Sequence, residues 1–262
     1  MSVWEAIFLG ALQGVTEFFP VSSSGHLVVG QTLLGLEIPG VQFEVAVHVG
    51  TLISVLVMYR DRLIELVSGT FRLDRDALCY VGLLAVATLP AGILGVVLGD
   101  VIQGLFESPF VPAVAFLVTG AILWSTRRVI ERDVWKSPTW SMALLIGFAQ
   151  AFTLVPGISR SGTTVAMALW FGVNAKEAAA FSFLMAIPAI AGAAVLQVPE
   201  LASQGLALSG TGLAAGSIVA AVTGILAIKA FVALLARKAF HRFAIYCWAL
   251  GAAFLFYLFT VG

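Results

Sequence analysis

Apolar runs of near-spanning length recur at roughly 43–59, 78–98, 111–127, 178–197, 213–236 and 243–261. A helix needs about 20 apolar residues to cross the hydrocarbon core, so this pattern predicts six transmembrane helices. Two further apolar regions, roughly 5–34 and 140–171, are broken near their centres by Pro20 to Gly25 and by Pro156 to Gly162. Neither reads as a continuous span, and each predicts a re-entrant helix-loop-helix element. Non-helical backbone persists at membrane depth only where it is buried in protein or lines a wet cavity. The two loops are therefore expected to line a site.

Composition fixes the class. Hydrophobic residues make up 60% of the chain and charged residues 11%, against about 45–50% and about 25% in soluble domains. The expected fold is an all-α integral membrane protein forming a single membrane domain. Basic residues concentrate in three connections: Arg60, Arg62, Arg72 and Arg75; Arg127, Arg128, Arg132 and Lys136; and Arg237, Lys238 and Arg242. The positive-inside rule makes these cytoplasmic. The connections at Asp100 to Glu107 and Pro199 to Thr211 contain no Lys or Arg, as expected for the outer side. Six spans threaded through these constraints place both termini outside.

The two broken regions are copies of one another. Gly10, Gln13, Thr16, Val21, Ser22, Ser24 and Gly25 fall without a gap on Gly147, Gln150, Thr153, Ile158, Ser159, Ser161 and Gly162, 137 residues later. The chain thus divides into a first repeat of roughly 1–130 and a second of roughly 138–262. The threading inserts the first re-entrant element from the outside and the second from the cytoplasm, an inverted-topology repeat. Such repeats place a polar site near the bilayer midplane, with half-helix N-termini aimed at anionic groups. One shared anion site is expected where the loop tips meet.

Of fourteen basic residues, eleven lie in the three cytoplasmic connections, Lys176 marks a helix boundary and Lys229 can snorkel. Arg160 alone is left at membrane depth. A charge there costs at least about 2.5–3.5 kcal/mol and faces a partner or a pathway. Two readings stand: a structural ion pair with Glu17 that ties the loops together, and an anion clamp whose planar fork matches phosphate oxygens. Around it, Gly157 and Gly162 allow close backbone approach, and Ser159, Ser161, Thr163 and Thr164 offer hydroxyls at a half-helix start. Helix N-termini bind anions, although serine and threonine also serve there as plain caps. In the first copy, Val21-Ser22-Ser23-Ser24-Gly25-His26 repeats the arrangement, with Ser23 in place of the arginine and His26 in place of Thr163. One loop carries charge for binding and the other a hydroxyl and an imidazole. Glu17 follows Gln13 by four residues on one face of the entering half-helix; it pairs with Arg160, acts as general base or holds a divalent cation. Glu44 and His48 form a further i,i+4 pair, at the outer end of the first full span, and rank below Glu17.

Taken together these segments resemble the undecaprenyl-diphosphatase family, also called the bacitracin-resistance protein family. Gln13-Gly14-Val15-Thr16-Glu17 is similar to its first motif, Pro20 to His26 to the serine-histidine segment that follows, and Pro156 to Thr164 to its second motif; the likeness extends through Phe43-Glu44 and Ser182-Phe183 to Pro188. The resemblance implies hydrolysis of a C55 isoprenoid diphosphate to the monophosphate lipid carrier and inorganic phosphate, in the bacterial inner membrane. It also implies a pocket opening outward and dependence on a divalent cation, Mg²⁺ or Ca²⁺, near Glu17. Glu17, Ser23, His26 and Arg160 are then the catalytic set. Gln13, Ser22, Ser24, Gly25, Ser159, Ser161, Gly162, Thr163 and Thr164 are the substrate-binding set. On this reading Ser23 attacks the terminal phosphorus and His26 shuttles protons; direct attack by water, with Glu17 or His26 as base, uses the same residues. Gln13 stands where many members carry glutamate, and His48 where many carry glutamine.

A transporter or flippase for a phosphorylated lipid or anion is the alternative, because inverted repeats with broken helices are a transporter architecture. It has less use for Ser23 beside His26. A phosphatidic-acid-phosphatase type of chemistry needs a second histidine downstream of the arginine loop, and His241 lies too far away. Cys79 and Cys247 fall within predicted spans and suggest neither a disulfide framework nor a metal site. The N-terminus shows no basic n-region and no cleavage site, so no removable signal peptide is expected. Net charge is zero, and nucleic-acid binding has no support. The small-residue face at Gly212 to Gly216 suits either internal packing or a homodimer contact.

Overall fold

The computed structural model describes residues 1–35, 42–131, 137–197 and 210–261. Arg132, Lys136 and most of the Pro199–Thr211 connection lie outside the described residues. Within them the chain is helical, with no strand. The first re-entrant element is α1 (Val3–Phe18) and α2 (Ser23–Leu34), followed by α3 (Gln42–Met58), α4 (Arg60–Phe71), α5 (Arg75–Val97), α6 (Gly99–Glu107) and α7 (Phe110–Ser125). The second is α8 (Trp140–Phe152) and α9 (Arg160–Trp170), followed by α10 (Ala175–Leu196), α11 (Gly210–Ala236), a 3₁₀ turn at Phe240–Arg242 and α12 (Phe243–Val261).

Among these, Arg75–Val97, Ala175–Leu196, Gly210–Ala236 and Phe240–Thr260 are each long and apolar enough to cross a membrane; the bent pairs α3–α4 and α6–α7 bring the number to six. All six apolar windows are therefore helices, and both broken windows are broken at the expected loops. The connections differ from expectation. The basic stretch after α3 is not a loop but α4, turned 77° from α3, and the outer stretch before α7 is α6, turned 99° from it. Both mix charge with apolar residues, so they are too polar to read as spans yet able to lie at an interface.

Polar residues set the helix starts. Ser2 and Glu5 form a capping box on α1, and Asp74, Thr139 and Asn174 cap α5, α8 and α10 through their side-chain oxygens. Large apolar side chains such as Trp4, Phe8, Val97, Ile218, Phe256 and Phe259 remain exposed. That is a lipid-facing surface rather than a wetted one.

Packing exchanges partners between the halves. α1 packs along α11 of the second half, and α8 packs along α5 of the first. Small residues allow the approach. A Cβ on Gly216 would lie 2.8 Å from Phe43 and 3.1 Å from the Ala6 carbonyl, and one on Gly147 would lie 2.7 Å from the Ala87 carbonyl. The glycine face of α11 is thus packed against α1 and α3 of its own chain. Ser54 and Ser217 add interhelical hydrogen bonds to the carbonyls of Ala221 and Ala46 at 2.8 and 2.9 Å, as expected where backbones come close in lipid.

Candidate active site

The two loops meet. Ser22 caps α2 by accepting from the Gly25 amide at 3.4 Å, and Ser159 caps α9 by accepting from the Gly162 amide at 3.1 Å. These are equivalent bonds at repeat-equivalent positions. Helix starts leave their first N–H groups without intrahelical acceptors, so both half-helices present free donors at the junction. Ser161 Oγ crosses from one loop to the other and donates to the Phe19 carbonyl at 3.0 Å. Ser22 holds a φ of 67°. For a non-glycine residue this strain costs on the order of 1–3 kcal/mol and is characteristic of functional loops.

Gly25 shows how close the approach is, since a Cβ there would lie 2.7 Å from Phe116 and 2.9 Å from the Gly157 Cα. Gly157 itself has a φ of 96°, in the region that favours glycine. Backbone cannot yield as a flexible side-chain tip can. Gly25→Ala is accordingly expected to lose about 1–3 kcal/mol by overpacking, read as a lower unfolding midpoint in detergent.

At the junction a chain of polar groups runs from one loop to the other. Arg160 Nη2 donates to Glu17 Oε1 at 2.7 Å, while Ser23 Oγ donates to Glu17 Oε2 at 2.5 Å and Gln13 Nε2 donates to the same oxygen at 3.1 Å. Arg160 Nη1 also donates to the Ser182 carbonyl at 3.3 Å. Thr164 Oγ1 donates to the Arg160 carbonyl at 2.8 Å and lies 2.7 Å from Ser182 Oγ. The Glu17–Arg160 ion pair is therefore present. It does not exhaust the guanidinium, which has five N–H donors. His48 Nε2 lies 3.9 Å from Glu17 Oε2.

A cavity of about 330 Å³ opens on this chain. Its lining includes the polar residues Glu17, Ser22, Ser23, Ser24, Ser159 and Arg160 and the apolar residues Ile102, Phe106, Ala189, Ile190 and Ala193. The combination suits an amphiphile with an anionic head. Gln13, Gly25, Ser161, Gly162, Thr163 and Thr164 do not line the cavity; they pack behind the wall and hold its shape.

His26 is also behind the wall. Its Nδ1 lies 2.7 Å from the Ser22 carbonyl, which can only accept, so Nδ1 carries the proton. Nε2 then accepts from the Tyr246 hydroxyl at 2.7 Å, and the two rings are stacked. The structure does not bring the imidazole to Ser23. It does bring in residues that sequence reasoning left unassigned. Glu44, His48, Gln150 and Thr153 line the same cavity. Gln150 and Thr153 carried a signal, because they fall on Gln13 and Thr16 in the repeat.

Among the described residues no group of three or more His, Cys, Asp and Glu side chains gathers as a metal-binding cluster. A dedicated protein cage is therefore not what the donors offer. Glu17 and Glu44 both line the cavity, and Mg²⁺ binds through one or two carboxylates together with substrate phosphates.

Residues 6–253 match the family described as bacitracin resistance protein BacA. An undecaprenyl-diphosphatase of Desulfatibacillum aliphaticivorans is 39% identical, over 96% of this chain and 97% of that protein. Proteins of the same name from Alcanivorax borkumensis and Rubrobacter xylanophilus are each 40% identical, over 98% and 96% of this chain and 100% and 97% of their own lengths. With both loops and nearly every helix inside the matched region, the chain belongs to the bacitracin-resistance BacA family.

Proposed function

We propose that this chain removes the terminal phosphate from undecaprenyl diphosphate, giving undecaprenyl phosphate and inorganic phosphate, and so recycles the lipid carrier for cell-wall synthesis. The observation that carries this reading is the chain Ser23–Glu17–Arg160 on the wall of a cavity lined by both polar and apolar residues. Similarity along the whole chain to proteins named undecaprenyl-diphosphatase supports the substrate. A volume of about 330 Å³ is at the low end for small-molecule pockets, about 300–1,000 Å³. It suits the diphosphate and the first part of the isoprenoid, with the remaining chain in lipid.

Arg160 and the free N–H groups of α2 and α9 bind the diphosphate. Ser23 Oγ attacks the terminal phosphorus, and its proton passes to Glu17 Oε2, to which it already points. The bond from that phosphorus to the bridging oxygen breaks, and the prenyl monophosphate leaves with the bonding electrons. Water then attacks the phosphoserine, the Oγ–P bond breaks, the proton held by Glu17 returns to Ser23 Oγ, and inorganic phosphate leaves carrying the protons of the water. His26 supports this geometry by fixing the Ser22 carbonyl rather than by meeting the substrate. Phosphoryl transfer depends mainly on positioning and charge stabilisation, which is what a clamp and two helix N-termini supply.

Glu17, with Glu44, would hold a divalent cation, Mg²⁺ or Ca²⁺, that offsets charge on the diphosphate when bound. EDTA is expected to lower phosphate release by at least about tenfold, and added Mg²⁺ or Ca²⁺ to restore it; undiminished release in EDTA would exclude this part. The protein is a multi-pass protein of the bacterial inner membrane, with its halves at roughly 1–130 and 138–262. The cavity is lined by α6 residues and by Gln197, next to the two connections without Lys or Arg, so by the positive-inside rule it faces outward. The test is phosphate release from a C15 or C55 prenyl diphosphate by purified protein in detergent. Absence of release with either cation present would sink the reading and turn attention to transport in liposomes.

A further inference from the structure

Gln150 lies near the end of α8, on the half-helix that leads into the arginine loop. It lines the cavity with Glu17, Ser23 and Arg160, is 2% exposed, and neither its Oε1 nor its Nε2 reaches a hydrogen-bond partner within the protein. The repeat explains why. Its counterpart Gln13 donates from Nε2 to Glu17, four residues on. Four residues after Gln150 the chain has Leu154, which also lines the cavity. The second copy thus keeps the amide and lacks the carboxylate that occupies it in the first. Buried polar groups in folded proteins are almost always paired, with protein or ordered water, so an amide at a ligand cavity with no partner within the protein is available to a ligand.

We propose that Gln150 is a substrate-binding residue whose Nε2–H donates to a non-bridging phosphate oxygen of the prenyl diphosphate. The proposal rests on the diphosphatase reading. Being neutral, the amide adds a directed hydrogen bond beside the charge supplied by Arg160, and so acts on affinity and orientation. It takes no part in the proton transfer between Ser23 and Glu17.

The experiment compares wild type, Gln150→Met and Gln150→Glu for phosphate release from a C15 prenyl diphosphate and for thermal unfolding in detergent. Methionine keeps the length and apolar character of the stem and removes the donor. It is expected to raise KM about tenfold to a hundredfold, as loss of a hydrogen bond to a charged group does, with a smaller change in kcat. Its unfolding midpoint is expected to be unchanged or higher, because an unpaired buried amide has been removed. Glutamate is nearly isosteric and places a carboxylate against the phosphate, so it is expected to raise KM further. A wild-type KM in Gln150→Met overturns the proposal. So does a fall in unfolding midpoint and kcat with KM unchanged, the signature of a purely structural amide. Wild-type protein that releases no phosphate overturns the diphosphatase reading, and the proposal with it; active wild type beside an unaffected Gln150→Met overturns the proposal alone.

Discussion

Arg160→Ala is expected to lower phosphate release from a prenyl diphosphate by about 10³-fold or more, the range over which arginine stabilises charge in phosphoryl transfer. It is also expected to lower stability. The side chain is tied to Glu17 at 2.7 Å with both groups largely buried, and removing one partner of such a pair costs about 3–5 kcal/mol because the other is left charged and unpaired. The two effects can be separated. Adding Glu17→Gln removes the stranded charge, so the double variant should unfold at a higher temperature than Arg160→Ala while remaining inactive. Arg160→Lys keeps the charge but loses the planar fork, and should stay well below wild type. An Arg160→Ala protein with near-wild-type release would mean that the arginine only ties the loops together. An Arg160→Ala protein whose unfolding midpoint falls below the assay temperature would mean that misfolding, and not loss of the clamp, had silenced it.

The parts of this molecule that sequence revealed are those governed by local periodicity and solvent. Each apolar window from 43–59 to 243–261 corresponds to a helix with ends within about three residues, boundary differences of the size that assignment alone produces. The prolines and glycines that break 5–34 and 140–171 did mark the loops. Periodicity does not reveal α4 and α6, because a helix lying along an interface needs neither a long apolar run nor a strict core face. The site divides in the same way. Glu17, Ser23 and Arg160 stood out because polar groups at membrane depth need a reason. That His48 comes to 3.9 Å from Glu17 and Glu44 lines the same cavity, while His26 bonds Tyr246, depends on the register of α3 and on a residue 220 positions distant in the chain. No local pattern encodes either. Gln150 was visible as a repeat position, but its missing partner became meaningful only once the cavity beside it was known.

Ser23→Ala is expected to reduce turnover by about 10³-fold or more, since nucleophile and base act as a unit, with little change in stability because the side chain is only half-buried. The hydroxyl donates to Glu17 at 2.5 Å, so its proton acceptor is already in place. Glu17→Gln should therefore fall to a similar level, and the double variant Ser23→Ala with Glu17→Gln should be hardly worse than either single change. Additive losses would instead separate the two roles. The covalent step has its own signature: protein quenched in acid during turnover should carry acid-stable phosphate at Ser23, and Ser23→Ala should carry none. Were Ser23→Ala to retain a substantial rate with no phosphoprotein in the wild type, water activated by Glu17 would be the nucleophile. Ser23 would then be a hydrogen-bond donor to the substrate, and the Glu17–Arg160 pair would still define the site.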